Sequence, residues 1–136
     1  MNKNKIRMID PKVQSMHDPL FCVVEEQLEE YIEEHLSEIS SRSFVCHSDF
    51  VFRKIADEGI LVPTGKTAQV FNGMINLNAT STFLWNLFST PTTVNDAVSK
   101  SEELYEGESL QRDVIQFVVT FYRMGLLLPE DLTSMD

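Results

Sequence analysis

The sequence contains no long apolar run: the most hydrophobic stretch, Ile115 to Tyr122, is interrupted by Gln116 and Thr120. It falls far short of the roughly 20 residues that a membrane-spanning helix needs. Basic residues are scarce, 11 Lys and Arg against 21 Asp and Glu, leaving a formal net charge of −10. A surface of that sign repels phosphate backbones and forfeits the counterion release that drives nucleic-acid binding, which argues against DNA or RNA as a partner. Only two cysteines are present, Cys22 and Cys46, and the basic N-terminal MNKNKIRMIDPK is not followed by the apolar segment of a secretory signal. A cytoplasmic protein with reduced thiols is the expectation.

Catalytic and metal-binding signatures are also missing. Cys46-His47 with Cys22, His17 or His35 offers soft ligands, but no CxxC or HxxxH spacing that would bring them to one ion. Gly65-Lys66-Thr67 resembles the end of a phosphate-binding loop, yet Ile60-Leu61-Val62-Pro63 lacks the upstream glycine that such a loop requires. No catalytic residue, metal site or cofactor is therefore expected, and the chain reads as a non-enzyme.

What is present is one domain's worth of ordinary core material, 136 residues with 43% apolar, preceded by an appendage. Residues 1 to 20 show no periodicity. From about Phe21 to Ile39, glutamates recur in pairs at four-residue spacing opposite Val24, Leu28, Tyr31, Ile32, His35 and Ile39, the pattern of an acidic amphipathic helix. Its stripe suits packing on the main domain or docking to a partner protein. A serine-rich break, Ser40, Ser41 and Ser43, follows.

Phe50 to Ile55 and Ile60 to Pro63 read as two strands around an Asp57-Glu58-Gly59 turn. Ala68 to Phe71 runs into Asn72-Gly73, a favoured hairpin turn, with Met74-Ile75-Asn76-Leu77 as the returning strand. Then the period becomes helical. Asn78 or Thr80 caps a helix through Leu87; Thr92 or Thr93 caps a second, closed by Glu106-Gly107; a third runs from about Ser109 to Met124 and stops at Gly125.

The third helix is unusual, because its apolar residues from Leu110 to Met124 span an arc of about 220°, where facing one core takes little more than about 100°. Either two neighbours sandwich it or it forms the wall of a groove. A meander beside it has edges whose unpaired N–H and C=O groups an extended peptide can complete, with pockets beside the edge supplying specificity. Ile115, Val119 and Tyr122 are the candidates for that wall.

The strings FVFRKIADEGILVPTG, FNGMINLNATSTFLWNLF, TTVNDAVSKSEELYEG and RDVIQFVVTFYRMGLLL, from about Phe50 to Leu128, resemble the pyrroloquinoline quinone biosynthesis protein D (PqqD) family. The features that carry the resemblance are Leu77-Asn78, Phe83 to Trp85, Thr93-Val94, Tyr105, Asp113-Val114 and Gly125-Leu126-Leu127. It implies an α+β, winged-helix-like domain with a three-stranded antiparallel sheet followed by three helices, spanning residues 48–130. Residues 1–47, with the amphipathic helix, form an extension outside the pattern, and 131–136 a tail.

The resemblance further implies a peptide chaperone without an active site. Such a protein binds the leader of a ribosomally made precursor as an added strand, then presents the precursor to a modifying enzyme, commonly a radical S-adenosylmethionine (SAM) maturase. Carried onto this chain, the edge is Met74, Ile75, Asn76 and Leu77, and the groove helix contributes Arg112, Ile115, Val118, Val119 and Tyr122. The same open edge permits self-association as a homodimer. The readings that compete with this one are a winged-helix DNA regulator and an interaction subunit working through its acidic N-terminal helix.

Overall fold

The computed structural model describes residues 17–130 apart from 57, 72 and 107–109. The irregular segment expected before residue 17, the tail 131–136, Asn72 of the Asn-Gly turn and Gly107 at the close of the second domain helix lie outside the described residues.

The amphipathic segment is not one helix but three. Asp18 caps α1 (Pro19–Cys22), its carboxylate accepting from the Leu20 N–H with proline in the first turn. After Val23 and Val24 comes α2 (Glu25–Glu34), and after His35, whose backbone leaves helical geometry, α3 (Leu36–Ser40). The breaks change which apolar residues reach the core: Leu28, Ile32 and Ile39 are buried, whereas Val24 at the first joint is 54% exposed.

The serine-rich break is likewise structured. β1 (Ser43–Cys46) sits at the centre of a small antiparallel sheet, flanked by β5 (Thr92–Thr93) and β6 (Leu127–Pro129). These strands are two to four residues long, too short to show an alternation in sequence, and they close only through residues far apart in the chain. Through β1, the segment before residue 47 is woven into the same body as the helices.

The second sheet contains the three strands read from sequence, in order β2 (Phe50–Ile55), β3 (Glu58–Pro63), β4 (Ile75–Leu77), all antiparallel. One expectation is corrected here. Ala68–Phe71 does not pair with Met74–Leu77; residues Thr67–Val70 form a single helical turn, α4, and β4 pairs with β3 instead, Leu61 opposite Ile75 and Gly59 opposite Leu77. Asp49 fixes that turn, since its backbone oxygen accepts from the Thr64 N–H and hydroxyl and its carboxylate from the Thr67 hydroxyl. A tertiary hydrogen-bond set has overridden the β-like character of Val70 and Phe71.

The helical half follows the sequence closely. Asn78 caps α5 (Ala79–Leu87) by accepting from the Ser81 N–H at 2.8 Å, and Thr93 caps α6 (Val94–Leu104) by accepting from the Asp96 N–H at 3.0 Å. α7 (Leu110–Arg123) ends at Gly125, whose φ of +86° lets the Leu126 and Gly125 N–H groups return to the carbonyls of Phe121 and Tyr122. The core gathers Leu20, Phe44, Leu61, Leu77, Phe88, Val118 and Tyr122, all within 2% exposure, so extension, both sheets and all three domain helices share one interior.

The second sheet is held to α5 at one tight point. A Cβ placed on Gly59 would stand 2.5 Å from the Phe52 ring and 2.8 Å from the Thr82 hydroxyl oxygen. Gly59→Ala is expected to lose about 1–3 kcal/mol of stability, the usual cost of overpacking, measured as a lower denaturation midpoint with an unchanged slope.

Candidate functional site

Sheet order makes β4 an edge strand: β3 lies on one side, and among the described residues no strand pairs with the other. Backbone groups in an antiparallel ladder alternate between the two sides, so part of the N–H and C=O set of Ile75–Leu77 points away from β3. The side chains alternate as well. Leu77 is buried and Ile75 half-buried on the core side, whereas Met74 and Asn76 face outward, Met74 at 64% exposure. The opposite edge, β2, differs in chemistry, because Arg53, Lys54 and Ile55 are exposed along it. Charged residues on an edge discourage pairing with another chain, and β4 has none.

The other expected wall is α7. Its broad apolar arc is matched by neighbours on two flanks. On one flank Phe117 and Phe121 stack at 4.1 Å between ring centroids and approach Phe88 and Trp85 of the α5 segment. On the other, Ile115, Val118, Val119 and Tyr122 are buried to 1% exposure or less, and α1 of the N-terminal extension packs against the helix. Phe21 meets the Tyr122 ring at 5.2 Å. The sandwich that the sequence admitted as one account of the arc is what the structure contains.

The seam between extension and α7 is polar and specific. Asp18 is its centre: one carboxylate oxygen accepts from the Tyr122 hydroxyl at 2.7 Å and from Arg42 at 2.8 Å, while the other caps α1. The Arg42 guanidinium lies 5.2 Å from the Phe44 centroid and 5.8 Å from that of Tyr122, close enough for cation–π attraction. Arg123 donates to the carbonyls of Leu20 and Val23, satisfying the C-terminal end of α1. Arg112 forks onto Glu29 and Glu33 of α2, and these carboxylates raise its pKa further above the ordinary range. That pair is solvent-exposed and adds little.

The expected site residues thus divide. Met74, Ile75, Asn76 and Leu77 sit on an open rim; Ile115, Val118, Val119 and Tyr122 are buried, Tyr122 against Asp18 and Phe21 of the N-terminal segment; and Arg112 is engaged by its glutamates. Asp18 and Arg42 escaped sequence reasoning. The Asp18-Pro19 pair was a helix-start signal, but nothing local marks Arg42 as its partner.

Among the described residues no group of three or more His, Cys, Asp or Glu side chains could hold a metal ion, and no helix is long and apolar enough to cross a membrane. Both cysteines are free; the Cys46 thiol donates to the Trp85 carbonyl, and burial pushes its pKa up to about 12.

Two measurements check this arrangement. Removing the shared acceptor with Asp18→Ala should cost about 2–4 kcal/mol, because the Arg42 charge and Tyr122 hydroxyl both lose a partly buried partner. With a thiol reagent at pH 8, exposed Cys22 should be modified in a fast phase and Cys46, still protonated there, only slowly.

No curated protein sequence matches the chain. A solved structure described as TbiB1 in complex with the TbiA(beta) leader peptide shares the fold, with a TM-score of 0.52 at 19% identity, over 61% of this chain and 93% of that one. The model of the family described as Coenzyme PQQ synthesis protein D matches residues 58–127, which run from β3 to the first residue of β6. About half of the sequence, including the open rim and all three domain helices, lies in that match, and the chain belongs to the PqqD family.

Proposed function

We propose that this protein captures the leader segment of a ribosomally synthesised precursor peptide as an extra antiparallel strand on β4, and presents the rest of the precursor to a modifying enzyme. The observation that carries the reading is the uncharged, unpaired rim of Met74 to Leu77 at one edge of a sheet whose other edge is guarded by Arg53 and Lys54. Strand addition binds through main-chain hydrogen bonds, so a rim of this kind holds extended peptides of varied sequence. Membership of the PqqD family and a fold shared with a protein solved with a leader peptide support the same reading.

In this account the protein makes and breaks no covalent bond. The enzyme it serves is a radical SAM maturase. Ile115, Val118, Val119 and Tyr122 contribute by anchoring α7 under the extension, which holds the helix in place relative to β4, and Arg112 steadies the extension from its outer side.

The test is a titration of the full chain with the leader of the precursor encoded beside its gene. Affinity of about 10 μM or tighter is expected. Peptides N-methylated at alternate residues should separate into two classes, those that lose the donors aimed at β4 and those that keep them, because only one set of amides faces the rim. Equal binding by both classes would rule out strand addition.

A further inference from the structure

The open side of β4 can be assigned residue by residue. The Thr64 N–H donates to the Asp49 carbonyl, which makes Asp49 and Thr64 a hydrogen-bonded pair in the register that joins β2 to β3. Such pairs recur at every second residue, so Val62, Ile60 and Glu58 turn their backbone groups to β2. Gly59 and Leu61 then turn theirs to β4, where their partners are Leu77 and Ile75. That leaves the N–H and C=O of Asn76, and of Met74 two residues before it, aimed at the open side. Among the described residues these groups have no other backbone partner.

The same two residues carry their side chains on the outer face of the sheet. Leu61 and Leu77 are buried on the core face, so Ile60 and Asn76, paired across the ladder, face out, as do Val51 and Val62. The register carried one residue beyond β4 sets Met74 beside Val62. Val51, Val62 and Met74 thus form an apolar row across the outer face, half-buried at the two valines and ending in Met74, 64% exposed, at the open edge. Opposed side chains in an antiparallel pair lie on one face. A guest strand must therefore bond Met74 and Asn76 with alternate residues, whose side chains land on the outer face; the residues between them turn their side chains to the core face and their amides to solvent.

We propose that Met74 selects among leaders: the leader residue hydrogen-bonded to it carries an apolar side chain, which becomes the fourth member of the row Val51, Val62, Met74. The inference rests on the strand-addition reading above and fixes the chemistry of one guest position. An apolar cross-strand neighbour, aromatic or β-branched, is favoured there by about 2- to 5-fold over a small polar residue. A guest carboxylate at that place would lie against apolar side chains with no cation in the row.

The experiment titrates the full chain with the leader encoded by the neighbouring precursor gene, scanned one residue at a time by backbone N-methylation and by serine substitution. N-methylation identifies the residues bonded to β4. One of that class, apolar in the native leader, should lose about 2- to 5-fold in affinity as serine against the unsubstituted protein and nothing against Met74→Ser. Met74→Leu should keep the preference, and Met74→Lys should favour glutamate over serine at that leader position. Thermal midpoints check that each variant folds. With isotope-labelled methionine methyl groups, the Met74 methyl should show nuclear Overhauser contacts to that one guest side chain.

Contacts from Met74 to a leader residue insensitive to N-methylation, or a sensitive class without an apolar residue, overturn the inference while leaving strand addition in place. So does a leader-free chain that self-associates through Met74, seen as a sedimentation coefficient that falls with Met74→Ser, because a second copy then covers the row. Equal binding by both methylated classes, or no binding at all, removes the strand-addition reading and this inference with it.

Discussion

An apolar arc wider than a single core can absorb must be covered on more than one side, and α7 carries such an arc. Much of the molecule follows from that. α5 and α6 cover one flank through Phe88, Trp85 and their neighbours, and the N-terminal extension covers the other. Tyr122 meets Phe21 and Asp18 of the extension, so residues 58–127 by themselves would leave part of this face uncovered. The extension is therefore part of the core. Its seam uses directional groups, Asp18 between Tyr122 and Arg42 and Arg123 on the carbonyls of α1, which fix one docking geometry where apolar contact alone would permit several.

Covering α7 so thoroughly leaves the backbone edge of β4 as the feature best suited to recognition. An edge strand is ordinarily a hazard, and the two edges of this sheet are treated differently: β2 carries Arg53 and Lys54, while β4 carries no charge at all. Main-chain pairing gives affinity that tolerates varied side chains. Specificity then falls to whatever side chains lie beside the edge.

How far these features were legible differs by element, for identifiable reasons. The caps at Asn78 and Thr93, the stop at Gly125 and the β2–β3 hairpin all depend on contacts within a few residues, and each was readable. The acidic segment was recognised as helical but drawn as one rod, because its periodicity continues through joints at Val23–Val24 and His35 that only docking on α7 and Arg42 reveals. Ala68–Phe71 looked like a strand, yet the hydrogen bonds that Asp49, some twenty residues upstream, accepts from Thr64 and Thr67 wind its start into a turn. The sheet formed by β1, β5 and β6 was missed, since short strands drawn from three distant parts of the chain leave no alternation to detect.

The sequence alone determined that this is an acidic α+β protein with the PqqD pattern. It also determined that the apolar arc of α7 exceeds one interface, because that is a count of residues on a helix. Tertiary structure decided which neighbours use that surplus. The difference is physical: periodicity reports how much apolar surface an element must bury, but which partner buries it depends on contacts across roughly a hundred residues, such as Asp18 with Tyr122, that no local pattern encodes.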